Sequence, residues 1–404
     1  MYSSQFVDSA FQKLRVGEKD WILDPWNGIG TTTSAAWRLG INAVGLDINP
    51  AMILIAKGRL LQHADVARLF ELGKTIEQME TPVHFCPPEA DPLRDFFLER
   101  SVGFVRGTER VLRRYLETHG DPESNDIAWV EHCCPLLACL YVAIFRSVRR
   151  LFSVFSTSNP TWFKKPASEN RTSFTWECFR KLIVDSLFDA LRIVEDDHSL
   201  LPVDPPDVRV ALCDSRQIQL QSQKVSLTMT SPPYCTRIDY AVATLPELMV
   251  LRFGEGDLRR LRKSMIGTPA IVGDFGDSGQ VIGSDTCTSL LQTISGHCSY
   301  AAARYYSKTF KQYFFGIFRS LQGIDRLTNP GGHALIVVQD SYFKDVKIDL
   351  PVIYREYLEY LGWHLIEQTK FKTRTKGAIH RFAGRYRRTA DATESVLIFE
   401  KDGK

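Results

Sequence analysis

Trp21-Ile22-Leu23-Asp24-Pro25-Trp26-Asn27-Gly28-Ile29-Gly30-Thr31-Thr32 decides the fold of this 404-residue chain. A short apolar run ends at an acidic residue, turns on two glycines and enters a stretch, Thr31 to Leu39, that reads as a helix. Ala43-Val44-Gly45-Leu46 is a second apolar run and ends at Asp47. Strand, glycine loop, helix, strand is the signature of a βαβ unit with parallel strands and a right-handed crossover. Gly28 and Gly30 let the backbone turn tightly and approach a ligand where a Cβ would collide. Thr31 and Thr32 open a helix whose N–H groups and dipole favour an anionic group.

The spacing argues against a dinucleotide site. Gly28-Ile29-Gly30 is followed by three threonines rather than x-x-Gly, and Asp24-Pro25 precedes it. Asp47, at the second strand end, is placed to accept hydrogen bonds from two ribose hydroxyls. Asp24, at the first, would meet the ammonium of a bound amino acid. A methionine at one end and a ribose at the other describe S-adenosylmethionine (SAM). Taken by itself, the loop also reads as an ordinary strand–helix turn.

Working outward, strand signals nearly vanish between about residues 60 and 205. Leu60, Leu61, Ala64, Ala67 and Leu72 recur at helical spacing, as do Leu182, Ile183, Leu187, Ala190 and Leu191. Residues 61–204 are therefore expected to form a mainly helical insertion, and 1–60 with 205–404 one α/β domain. Val208 to Leu212 and Val225 to Thr230 resume the strand pattern. Residues 254–300, rich in Gly, Ser, Asp and Thr, are expected to form a long surface loop. A helix from about Tyr305 to Leu327 is expected to stop at Asn329-Pro330-Gly331-Gly332. A buried strand, Ala334 to Val338, and weaker ones near 363–367 and 395–400 complete the sheet.

The strand ending at Thr230 leads into Ser231-Pro232-Pro233-Tyr234. Open α/β sheets place their chemistry at such carboxyl ends. Methyl transfer to an aromatic amine must draw the nitrogen lone pair out of ring conjugation. Acceptors for the amine hydrogens do this, and the Ser231 side chain and the carbonyls fixed by Pro232 and Pro233 are suitable and preorganised. Tyr234 can stack on an extruded base. Asp204-Pro205-Pro206-Asp207 has prolines without a preceding strand or an aromatic, and reads as a linker.

The pair of motifs has a family likeness. Asp24-Pro25-Trp26-Asn27-Gly28-Ile29-Gly30-Thr31 resembles the Asp-Pro-Phe-x-Gly-x-Gly-Thr motif of amino-group DNA methyltransferases, and Ser231-Pro232-Pro233-Tyr234 matches the form typical of their cytosine-N4 members. The resemblance implies a Rossmann-like, SAM-dependent methyltransferase fold, α/β with a seven-stranded, mostly parallel sheet. It also implies cofactor contacts from Phe6, Asp24, Pro25, Trp26, Asn27, Gly28, Gly30, Thr31, Thr32, Asp47, Ile48 and Asn49, and from the adenine-contacting turn at Asp214 and Ser215. Trp26-Asn27 departs from the family's Phe and small residue. No proline is followed by cysteine, as the nucleophile of cytosine-C5 methylation requires.

Double-stranded DNA is the expected partner, with a restriction or defence-system protein as a second. Lys370 to Arg388 holds eight basic residues, Lys372, Arg374, Lys376, Arg381, Arg385 and Arg387 among them, and no acidic one; three aromatics are interleaved. Such a mixture suits phosphate contact and stacking. Lys164 and Lys165, after Trp162-Phe163, and Arg237, beyond the Ser-Pro-Pro-Tyr turn, are further candidates. A net charge of +3 names no partner by itself. Nine scattered cysteines, with no Cys-x-x-Cys spacing and no Cys/His quartet, favour a reducing cytoplasm and no metal centre. The longest apolar stretch is too short for a membrane span, and no secretion signal is visible. Adenine-N6 methylation, RNA amine methylation and a non-catalytic SAM-binding module are the alternative readings.

Overall fold

Ser4–Lys13 (α1) leads into Trp21–Asp24 (β1), Thr31–Arg38 (α2) and Asn42–Asp47 (β2). β1 and β2 pair in parallel, Trp21 opposite Asn42 and Asp24 opposite Gly45, as the βαβ pattern requires. The structure is a computed structural model and describes residues 2–81, 85–116, 127–157, 162–196, 205–220, 224–235, 239–272, 282–374 and 391–403. Pro50–Lys57 (α3) begins at Asn49, whose side chain accepts the Ala51 N–H. His63–Gln78 (α4), Glu99–Tyr115 (α5), Trp129–His132 (α6), Pro135–Leu151 (α7) and Trp176–Asp196 (α8) follow.

The sheet resumes with Val208–Leu212 (β3) and Val225–Thr230 (β4). Tyr240–Ala243 (α9), Leu245–Val250 (α10), Glu255–Ser264 (α11), Asp285–Gly296 (α12) and Ser307–Leu327 (α13) come next. Thr328–Gln339 (β5), the small hairpin Ser341–Phe343 (β6) and Val346–Ile348 (β7), Leu350–Tyr360 (α14), Trp363–Arg374 (β8) and Asp391–Lys401 (β9) complete the described elements.

Among the described residues a seven-stranded sheet runs β3-β2-β1-β4-β5-β9-β8. Its pairs are parallel except those made by β9, which is antiparallel to both β5 and β8. This is a Rossmann-like methyltransferase fold. Strand order reverses between β1 and β4, and at that switch point the carboxyl ends of the two strands stand side by side. Strand alternation divides the core. Leu335 and Val337 face α1 and α2, packing with Val7, Phe11, Ala35 and Ala36. Ala334, Ile336 and Val338 face α13 and α14, packing with Phe314, Ile317, Leu321 and Ile353.

The helices between residues 61 and 204 share a core with the sheet. Leu137, Leu140 and Ile144 of α7 cluster with Ile53 and Leu54 of α3, Val210 of β3 and Leu248 of α10. Fully buried Arg106 reaches Asp91 (Nε to Oδ2, 2.6 Å) and Glu109 (Nη1 to Oε2, 3.2 Å) and donates to the Met249 carbonyl at 3.0 Å. Arg149 of α7 pairs with Glu247 (Nε to Oε1, 2.5 Å) and donates to the Ala243 carbonyl at 2.7 Å. Arg106, buried, would be costly to leave unpaired, and with the partly exposed Arg149 it pins the helical segment to α9 and α10.

Two sequence expectations are corrected. Residues 254–300 are not one long loop but contain α11 and α12. α11 carries Glu255 and Asp257 in its first turn and Arg262 and Lys263 in its last, complementing the helix dipole. α12 buries Cys287, Leu290, Leu291 and Ile294, a helical spacing inside a polar composition. Asn329-Pro330-Gly331-Gly332 does not simply stop α13, because β5 opens at Thr328. Val225 pairs with Thr328 and Leu227 with His333, so the Pro-Gly-Gly segment bulges out of the strand, with Gly331 at φ +72°. Among the described residues no helix is long and apolar enough to cross a membrane.

Candidate active site

The carboxyl ends of β3, β2, β1 and β4 open on one cavity of about 370 Å³, a size usual for small-molecule sites. Asp24, Pro25, Trp26, Asn27, Gly28 and Thr31 line it beyond β1, and Asp47, Ile48 and Asn49 beyond β2. Asp214 and Ser215 line it beyond β3, and Ser231, Pro232, Pro233 and Tyr234 beyond β4. The fold therefore brings two motifs about two hundred residues apart into a single cleft.

Gly30 and Thr32 stand behind this wall. Gly30 caps α2 in the left-handed region at φ +79°, and a Cβ there would lie 2.7 Å from the Ala56 Cβ. Thr32 donates to Asp24 Oδ2 at 2.7 Å. Asp24 Oδ1 accepts from Thr230 Oγ1 at 2.6 Å and from the Trp26 N–H at 3.2 Å. The Tyr2 hydroxyl adds a longer contact to Asp24 Oδ2, 3.3 Å, and lies 2.7 Å from Thr32 Oγ1. Burial pushes the Asp24 carboxyl above its ordinary pKa, opposed by its hydrogen bonds from Thr230 and Thr32. Asp24 thus ties together β1, α2, β4 and the N-terminal segment. Tyr2 lines the cavity, whereas Phe6 packs beside it on α1, ring centroids 5.5 Å apart. Sequence reading missed Tyr2, which has no local pattern to mark it.

Asp47 is held differently. Its Oδ2 accepts the Gly28 N–H at 2.9 Å and its Oδ1 the Asn49 N–H at 2.8 Å. Each oxygen keeps a second lone pair, and the side chain borders the cavity. Desolvation pushes its pKa up to about 6, opposed chiefly by the backbone donors of Asn49 and Gly28. Asp214 is spent internally: it accepts the Arg216 backbone N–H at 3.0 Å and pairs with the Arg216 guanidinium, Nε to Oδ1 2.8 Å. The wall also includes Tyr240 and Thr244 around α9. Thr244 Oγ1 accepts from Asn49 Nδ2 at 2.9 Å, so the segment gripped by Arg149 is joined to the end of β2.

The departure at Asn27 has a structural counterpart at Gly45. The buried Asn27 side chain lies across Gly45 of β2, where a Cβ would stand 2.5 Å from Asn27 Cγ. Thr33 Oγ1 donates to Asn27 Oδ1 at 3.1 Å. Gly45→Ala is expected to cost about 1–3 kcal/mol by overpacking and to weaken ligand binding by displacing the glycine loop. Asn27→Ala in the same chain should recover most of that stability in urea titrations. Equal denaturation midpoints for wild type and Gly45→Ala would sink the assignment.

The Ser231–Tyr234 turn is braced at several points. Ser231 Oγ donates to the Val337 carbonyl at 3.2 Å, Tyr313 donates to the Pro233 carbonyl at 2.9 Å, and Ser341 to the Cys235 carbonyl at 2.8 Å. Because its proton is directed at Val337, the Ser231 oxygen presents lone pairs elsewhere. Tyr234 Oη donates to Glu394 Oε1 at 3.2 Å. Burial, with the Glu394 carboxylate adding and a hydrogen bond from the Ser231 side chain opposing, pushes the Tyr234 phenol up to about 12. Cys235 points into the core, 5% exposed.

The basic candidates are dispersed. Glu394 of β9 pairs with Gln339, the last residue of β5, and with Phe371 of β8. The hairpin ends at Arg374 and Asp391, so three further residues of each strand project past β5 on the cavity side, about 10 Å. Lys372 is exposed there, and Arg374 ends β8. Arg237, Lys376, Arg381, Arg385 and Arg387 lie outside the described residues. Lys164 is exposed, and Lys165 pairs with Asp95 at 2.8 Å. Among the described residues no group of three or more His, Cys, Asp or Glu is arranged to hold a metal ion.

No family model matches the chain. It is 23% identical over 291 residues to Type II methyltransferase M.BsoBI of Geobacillus stearothermophilus, covering 66% of this chain and 53% of that protein. A 71-residue stretch is 37% identical to Type II methyltransferase M.MjaII of Methanocaldococcus jannaschii, covering 17% of this chain and 13% of that protein. The chain thus spans about half the length, or less, of these curated relatives. At this low identity, both similarities support the DNA methyltransferase family to which the paired motifs point.

Proposed function

We propose that this protein transfers a methyl group from SAM to the exocyclic N4 amine of cytosine in double-stranded DNA, as the modification enzyme of a restriction-modification or defence system. The observation that carries this reading is the single cavity joining Asp47 and the glycine loop to Ser231 and Tyr234. SAM fits the donor set: Asp47 has two lone pairs for the ribose hydroxyls. Asp24 can meet the ammonium by yielding the 3.3 Å Tyr2 contact, the longest it makes. When bound, SAM supplies an electrophilic methyl group.

The protein's own groups prepare the acceptor. A target base rotated out of the duplex would stack on Tyr234. Ser231 Oγ and the Pro232 carbonyl would accept its two amine hydrogens, drawing the nitrogen lone pair out of the ring and toward the methyl donor. Both acceptors are held by the braced turn before substrate arrives, so little reorganisation remains for the reaction itself. The β8–β9 hairpin, projecting on the cavity side, suits contact with the phosphates. The helical segment 61–204, with Lys164 exposed, is the candidate target-recognition region.

Single-molecule sequencing of DNA from cells expressing the protein tests this reading. N4-methylcytosine at one sequence motif is the expected result. N6-methyladenine instead would move the target to adenine, which one serine at the head of the turn does not forbid. Unmarked DNA with methylated RNA, or SAM binding with no mark at all, would overturn the proposal.

A further inference from the structure

Three of the contacts around the Ser231–Tyr234 turn fix its backbone or its serine: Ser231 to Val337, Tyr313 to Pro233 and Ser341 to Cys235. None of these three restrains the far end of the Tyr234 ring, which is joined to the turn through two rotatable bonds. The phenol oxygen is held instead by its hydrogen bond to Glu394 Oε1, with the Ser231 side chain as a second neighbour from within the turn itself. Glu394 is itself well fixed, because its backbone is paired on both sides, with Gln339 of β5 and Phe371 of β8. It comes from a strand 160 residues away, no described residue of which lines the cavity, so it reaches the site only through the Tyr234 hydroxyl.

We propose that Glu394 is the positioning residue of Tyr234, holding the phenol ring in the plane needed to stack on the target base. The inference rests on the reading of Tyr234 as the stacking platform. A carboxylate suits the task. It accepts without donating, so the hydroxyl has one direction to point, and a charge-assisted bond of this kind is stronger than a neutral one. Its place at the root of the β8–β9 hairpin also puts the ring's anchor on the element proposed to touch DNA.

Single-turnover methylation rates of Glu394→Ala, Tyr234→Phe and the double variant give a cycle that a merely structural role would not satisfy. Each single change is expected to slow transfer roughly tenfold, with SAM affinity unchanged by calorimetry. The double variant should be no slower than either single one, and Glu394→Gln, which keeps an acceptor oxygen, should be near wild type. A further tenfold loss when Glu394→Ala is added to Tyr234→Phe, or no loss from Glu394→Ala alone, would overturn the proposal. A second readout needs no DNA. With 3-fluorotyrosine at position 234, the fluorine resonance should move toward its solvent-exposed value in Glu394→Ala, and an unmoved resonance would count against the anchor. If wild-type protein methylates no DNA amine, the proposed function falls while the resonance still decides whether Glu394 holds the ring.

Discussion

Asp47→Ala is expected to weaken SAM binding about 100-fold or more while leaving the sheet folded. The carboxylate stands at the end of β2 with each oxygen bonded once by a backbone N–H, from Gly28 and from Asn49. The remaining lone pairs would take two ribose hydroxyls, and hydrogen bonds to a charged group contribute about 1.5–3 kcal/mol each. Losing both exceeds the 1.4 kcal/mol that separates each tenfold in affinity. Calorimetric titration with SAM measures it, and an affinity within threefold of wild type would remove Asp47 from the ribose site. The same group gives the binding a pH dependence. Its pKa in the folded protein is raised to about 6, chiefly by desolvation, so it takes up a proton as pH falls through that value. Two acceptors need the ionised form. Affinity should therefore be level above pH 7 and about tenfold weaker at pH 5, and that slope should vanish in Asp47→Ala.

Tyr234→Ala separates binding from turnover. The side chain lines the β4 end of the cavity, two strands from Asp47 across the sheet. SAM affinity should stay near wild type. Stacking on an extruded base contributes about 1–3 kcal/mol, so methyl transfer to DNA should fall about tenfold to a hundredfold. Placing the target cytosine in a mismatch, where it is already unpaired, should recover part of the loss, since extrusion then needs less support from the ring. Near-normal transfer by Tyr234→Ala would refute the stacking role and, with it, the reason for anchoring the ring at Glu394.

Much of the candidate site was legible because its signals are local. Asp24, Gly28, Gly30 and Thr32 sit within nine residues, and each has a chemical reason to be its own type at its own place. Ser231 to Tyr234 follow a buried strand directly. α11 and α12 were missed: the Gly/Ser/Thr-rich composition outweighed the acidic-first, basic-last pattern of residues 255–263 and the 287, 290, 291, 294 spacing. The bulge at Asn329–Gly332 was not legible, because a Pro-Gly-Gly run ends a helix and interrupts a strand equally well. Only pairing with β4 distinguishes the two.

By itself the sequence determined that β1, the glycine loop, α2 and β2 form a βαβ unit, that helices recur among the described residues after β2 (α4 to α8), and that Ser231 heads a turn at a strand end. These follow from periodicity and from backbone freedom, which act over a few residues. The tertiary structure decided what lies beside what. Strand order placed β1 against β4, and so Asp24 against Thr230 and the turn after it. Gly45 made room for Asn27, Tyr2 reached Asp24, and Glu394 reached Tyr234. Those contacts join residues between 18 and about 200 positions apart, and no local propensity encodes them. They exist because packing the two faces of one sheet fixes the register of every strand at once.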